Sequence, residues 1–214
     1  MNKKSYYNEK YFKWQSELGE FGGWAELHKF IYYIKSDYNI IDFGCGGGYL
    51  LKNIECNDKI GVEINEFARI KATENGIKTV ENISDLDDNW ADLIISNHAL
   101  EHVHNPLGVL IQLKQKLKKN GTIVFVVPCE TIKTKYYPND INRHLFSWGP
   151  MTFGNLFDEA GYKVYQVIPY IHKWPQNYQK IASLFGRRWF NLICMINARI
   201  KRDGYQVKVI AKNE

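Results

Sequence analysis

Three groups of residues have the types and spacing to do chemistry. The first is the run Asp42-Phe43-Gly44-Cys45-Gly46-Gly47-Gly48. Glycines let a backbone turn tightly and approach a ligand with no Cβ in the way. The second is Glu63, 21 residues after Asp42. At about that interval, nucleotide-binding folds place a carboxylate that accepts bonds from ribose hydroxyls. The third is histidine-rich. His98, His102 and His104 lie close together, and His144 ends the polar loop Asn139-Asp140-Ile141-Asn142-Arg143-His144. Imidazoles titrate near neutral pH and are suited to taking a proton from a hydroxyl.

The order of the glycines limits what the loop holds. The dinucleotide fingerprint Gly-x-Gly-x-x-Gly fails, because counting from Gly44 puts Tyr49 in the last place and counting from Gly46 puts Leu51 there. A P-loop fails for want of Lys-Ser/Thr. Asp42, two residues before the first glycine, repels a pyrophosphate and attracts a cation. S-adenosylmethionine carries an ammonium, a sulfonium and no phosphate, so an acidic glycine loop favours it over NAD and disfavours a nicotinamide oxidoreductase. The plain alternatives are a glycine turn without a ligand and, at Glu63, a solvated strand end. Asn82-Ile83 offers an amide for an adenine edge and an apolar side chain for its face, or simply a turn. His98 and His102 are four apart, so a helix would put them on one face. No His-Glu-x-x-His motif accompanies them, so no metal is expected.

Strands and helices must position these groups. Ile40 to Phe43, Lys59 to Ile64, Ile77 to Val80, Asp92 to Ser96 and Thr122 to Val127 read as strands. Between them, Tyr49 to Ile54, Glu66 to Glu74 and Pro106 to Lys118 read as helices, the last turning Leu107, Leu110, Ile111, Leu113 and Leu117 toward the sheet. Apolar strands alternating with amphipathic helices imply an α/β fold with a parallel sheet covered on both faces. Met151 to Ala160 reads as a helix, Lys163 to Ile168 as a strand and Val207 to Ala211 as a closing strand. Residues 1–37 form an aromatic N-terminal helical cap and 38–214 the main domain, with a cap insertion at about 170–204. Both caps are expected over the carboxyl edge of the sheet, where ligands bind in open α/β folds. Tyr7, Tyr11, Phe12 and Trp14 recur at helical spacing and read as core. His172-Lys173-Trp174-Pro175 is either a stacking and charge site or a packed turn.

At 214 residues, with 45% hydrophobic and 24% charged residues, the chain has a globular balance and is not disordered. Four cysteines with no Cys-x-x-Cys pair exclude a zinc ribbon. No secretory signal or transmembrane run is visible, so a cytoplasmic setting is expected. Residues 171–214 hold 9 Lys and Arg against 2 Asp and Glu, while the rest is slightly acidic. The basic excess belongs to the tail, which makes a nucleic-acid partner for the main body an unfavoured reading.

Asp42-x-Gly44-Cys45-Gly46-x-Gly48, Glu63, Asn97-His98-Ala99-Leu100-Glu101-His102-Val103 and Asn120-Gly121-Thr122 together resemble the class I S-adenosylmethionine-dependent methyltransferases. Leu100 to Val103, and His144-Leu145-Phe146-Ser147-Trp148 with the helix that follows, resemble the branch with a Leu-Glu-His-Val helix start. The resemblance covers about residues 38–170 and the closing strand. It implies a Rossmann-like doubly wound sheet of seven strands, the last antiparallel, with helices on both faces. It also implies S-adenosyl-L-methionine as cofactor. Asp42, Gly44, Cys45, Gly46 and Gly48 would then frame the methionine moiety, Glu63 and Ile64 the ribose, Asn82 and Ile83 the adenine, with Asn97 beside the methyl group. Asn82 departs from the acidic residue commoner at its position. His98, His102 and His144 are the candidate bases. The acceptor expected is a small or sugar-bearing molecule, O- or N-methylated, with surface-glycan biosynthesis as the guess. The chain would act as a monomer or homodimer. An RNA methyltransferase and a non-catalytic binding module of the same fold are the alternatives.

Overall fold

The computed structural model describes residues 18–138 and 140–214. Tyr7, Tyr11, Phe12, Trp14 and Asn139 lie outside the described residues. The seven strands are β1 (Asn39–Phe43), β2 (Asp58–Val62), β3 (Lys78–Val80), β4 (Ala91–Asn97), β5 (Leu117–Pro128), β6 (Lys163–Ile171) and β7 (Tyr205–Lys212). They form one sheet in the order β3-β2-β1-β4-β5-β7-β6. The first five run parallel, and β7 is antiparallel to both its neighbours. The helices are α1 (Gly19–Glu26), α2 (Tyr49–Lys52), α3 (Glu66–Glu74), α4 (Pro106–Lys116), α5 (Pro150–Glu159) and α6 (Tyr178–Lys201). This is the seven-stranded α/β architecture expected from the pattern.

Strand alternation sorts the core into two layers. Ile41, Ile94, Ile123, Phe125 and Val127 face one side, against Leu110 and Leu113 of α4 and Phe153 and Phe157 of α5. Ile40, Leu93, Ile95, Val124 and Val126 face the other, with Leu51, Ile54, Ala72 and, from the N-terminal segment, Leu27 and Phe30. Burying both faces explains why the central strands are continuous apolar runs.

Several boundaries differ from the sequence reading; β2, for one, ends at Val62, so Glu63 follows the strand. α4 ends at Lys116, because Leu117 pairs with Ala91 in the sheet and the Asn89 and Trp90 amides donate to the carbonyls of Gln115 and Lys116. Its final carbonyls are thereby satisfied without another helical turn. Ile111 faces outward, half exposed, while Leu110 and Leu113 are fully buried. β6 runs on to Ile171, paired with Tyr205 of β7. The expected insertion is therefore mostly one long element, α6, broken at Gly186 (φ 69°).

Candidate functional site

The glycine loop leaves the carboxyl end of β1 and turns into α2. Gly44 has φ 76°, and a Cβ there would stand 2.3 Å from the Cβ of Ala99. Left-handed backbone and close approach together exclude a larger residue. The Gly44 amide donates to the Val62 carbonyl at 2.8 Å, tying the loop to β2. Glu63 follows β2 and closes the turn from beneath. Its carboxylate accepts from the Gly46 amide at 2.9 Å and the Asn65 amide at 2.8 Å.

A cavity of about 200 Å³ opens between this loop and α1. Asp42, Gly44, Cys45, Gly46, Gly47 and Asn97 line one wall, and Gly19, Gly22, Gly23 and Glu26 of α1 line the other, with Trp174 at the rim. The glycines of α1 permit this approach: a Cβ on Gly23 would lie 2.2 Å from the Tyr49 carbonyl oxygen. Asn97 is thus brought beside Asp42 and the loop, as expected. Gly48, with φ 72°, serves as the N-cap of α2. Glu63 lies behind the loop, and Ile64 is half exposed after it. Asn82 forms a capping box with Asp85, and Ile83 is buried in the core beside Val62 and Leu86. Neither lines this cavity.

The electrostatics are acidic. Burial, reinforced by the charge of Glu63, pushes the Asp42 carboxyl up to about 8. Burial also raises Glu63, against the amide bonds it accepts. Glu26 behaves oppositely. Burial works to raise it, but Lys29, His172 and His98 hold it down at about 2. Lys29 is fully buried. Its ammonium pairs with Glu26 and donates to Asn97 Oδ1 at 2.9 Å and Gln206 Oε1 at 2.7 Å. The Trp174 indole donates to Glu26 Oε1 at 3.1 Å. Of this Glu26–Lys29–Asn97 array, only Asn97 was among the expected residues. His172 lies buried against His28 (ring centroids 4.8 Å apart), and burial drops its imidazole to about 4. Of the two readings of His172 to Pro175, packing holds for His172, while Trp174 reaches the cavity.

The histidines gather around a carboxylate. His98 takes φ 58° at the end of β4, and Leu100–His102 form a single 3-10 turn. His98 and His102 therefore share no α-helical face. Instead, His98 Nδ1 lies 3.7 Å and His102 Nε2 3.8 Å from Glu101 Oε1. Glu101 is fully buried. Burial would raise its carboxyl, yet the two imidazoles hold it below the ordinary value. Burial lowers His102, against Glu101. The His144 ring lies tilted against that of His102 (centroids 5.1 Å apart, planes at 57°), and its Nδ1 meets Glu130 Oε1 at 3.1 Å. The ligand-capable atoms of Glu101, His102 and His144 all lie within 4.8 Å of one another, so these residues could hold a metal ion. That grouping was not expected from spacing.

A family described as "Methyltransferase domain" matches residues 10–167. The chain belongs to that family. Its sheet order and acidic glycine loop are those of the class I, S-adenosylmethionine-dependent methyltransferases. A ubiquinone biosynthesis O-methyltransferase of Rickettsia prowazekii is 29% identical over 161 residues, covering 64% of this chain and 63% of that protein. One from Photobacterium profundum is 34% identical over 98 residues, covering 40% of this chain and 42% of the relative. The matches thus span less than two thirds of either relative. A solved structure described as a SAM-dependent methyltransferase from Archaeoglobus fulgidus superposes with TM-score 0.64 at 22% identity, over 95% of this chain and all of that one. Among the described residues, no helix is long and apolar enough to cross a membrane.

Proposed function

We propose that this domain methylates a hydroxyl oxygen of a small molecule, using S-adenosylmethionine. The observation that carries the reading is the acidic cavity between α1 and the glycine loop, walled by Asp42 and Glu26. It suits a donor with positive charge and no phosphate. When bound, the donor would supply a sulfonium methyl, whose carbon an oxygen nucleophile would attack in line as the carbon–sulfur bond breaks and the neutral thioether leaves. Asp42 and Glu26 would attract its cationic end. Gly44, Cys45, Gly46 and Gly48 would admit it close to the backbone. Glu63 would accept ribose hydroxyls, with Ile64, Asn82 and Ile83 toward the base and Asn97 toward the methyl group.

The acceptor class rests on the relatives named for O-methylation in ubiquinone biosynthesis. They lend no support to the surface-glycan acceptor expected earlier. A phenolic hydroxyl, ionising near pH 10, is within reach of an imidazole base in a desolvated site. His98 is the candidate base, because its side chain is about one-third exposed while Glu101 behind it is wholly buried. Glu101, whose Oε1 lies 3.7 Å from His98 Nδ1, would orient the ring. His102 approaches the same carboxylate oxygen, and the His144 ring lies against that of His102.

Calorimetry and turnover test this reading. Asp42→Asn and Glu63→Ala should weaken S-adenosylmethionine binding in a folded protein, and unchanged affinity in both would reject the cofactor site. His98→Ala should leave binding intact and slow turnover by about 10²–10⁴-fold. Undiminished turnover would place the base elsewhere.

A further inference from the structure

We propose that the outer face of α6 seats the protein on an anionic lipid surface. The helix has two faces. Phe190, Cys194 and Ala198 recur every fourth residue and are buried; Phe190 and Cys194 pack in one apolar cluster with Ala25, Phe21, Trp24 and Trp174. Trp189, Leu192, Ile196 and Ile200 follow the spacings three, four and four on the other side and are 63%, 43%, 48% and 73% exposed. Such a stripe costs solvation unless something apolar covers it. Leu184 and Phe185, just before the break at Gly186, are exposed as well.

Charge decides between occupants. Residues 178–202 contain Lys180, Arg187, Arg188, Arg199, Lys201 and Arg202, and no Asp or Glu. Arg187 turns inward over the Trp24 ring at 5.0 Å. The other five are exposed. A second copy docked on this face would set like charges against each other. A nucleic acid would use the cations and leave the apolar stripe wet. An anionic lipid interface answers both, with apolar side chains entering the acyl boundary and cations at the headgroups. The helix then lies in the plane of the surface. Its inner seam packs on α1, which walls the cavity, so docking would hold that wall one helix away from lipid. The proposal stands independently of the acceptor assigned above.

Flotation of the full chain with vesicles tests it. Binding should occur to equimolar phosphatidylcholine and phosphatidylglycerol at low salt, and not to phosphatidylcholine alone. Arg188→Glu with Arg199→Glu should weaken it by at least about 30-fold. Leu192→Ser with Ile196→Ser should weaken it by at least about tenfold. Both pairs are exposed, so circular dichroism and S-adenosylmethionine calorimetry should match the parent. Equal partition onto both vesicle types overturns the proposal. So does vesicle binding that survives the serine pair, since the stripe would then be idle. A dimer in sedimentation analysis that the serine pair splits, with vesicle binding unchanged, would make this a self-association face and equally end the proposal.

Discussion

The ionisation of Asp42 should govern how tightly a cationic ligand binds. Burial and Glu63 raise its carboxyl to about 8. Below that pH the empty site keeps a proton on Asp42. A ligand carrying an ammonium and a sulfonium favours the anion and so expels the proton. If the carboxyl in the complex ionises below about pH 6, affinity falls about tenfold for each pH unit from about 8 down to about 6. The total is about 100-fold, or about 2.7 kcal/mol. Near pH 7, each S-adenosylmethionine bound should release close to one proton. Titration calorimetry in buffers of different ionisation enthalpy measures both quantities. Asp42→Asn cannot ionise, so its affinity should be flat over that range and weaker than the parent's near pH 8. Flat affinity in the parent, with no proton released, would refute the reasoning. A pH dependence that persists in Asp42→Asn would transfer it to Glu63, whose carboxyl is also raised.

The same carboxyl should cost stability in the absence of ligand. Its folded pKa lies above its unfolded one, so the folded state holds a proton that the unfolded chain gives up, and stability falls as pH rises from about 4 to about 8. Asp42→Asn should therefore melt higher than the parent near pH 8, with the gap closing near pH 4. Lys29→Met should cost about 3–5 kcal/mol, because it strands the buried Glu26 carboxylate. Adding Glu26→Gln should recover part of the lost melting temperature. Gly23→Ala should cost about 1–3 kcal/mol and weaken donor binding, because the Tyr49 carbonyl 2.2 Å from the new methyl is backbone and α1 must lift off the loop. Thermal melts and calorimetry check each.

What could be read from sequence was what local pattern encodes. The parallel strands carry their own burial signature, and Gly44 to Gly48 mark a turn that admits only glycine at its left-handed positions. In the Glu26–Lys29–Asn97 array only the Glu26–Lys29 pair is local, at i and i+3. Lys29 meets Asn97 and Gln206 at sequence separations of 68 and 177, and only the folded sheet edge brings them together. A trace was present in Gly19, Gly22 and Gly23. Each glycine costs a helix about 1 kcal/mol relative to alanine, so three in eight residues imply a surface that must pass close to another backbone. The histidines show the opposite failure, a pattern read with the wrong period. The interval from His98 to His102 predicts a shared face only at 3.6 residues per turn. The structure spends that interval on a left-handed strand end and a 3-10 turn, which is tighter. The residue both rings address is then Glu101 between them, a fully buried carboxylate within the Leu-Glu-His-Val run. A buried acid between two histidines is costly to keep for packing alone. Its position beside the end of β4 is the reason we propose proton handling as its role.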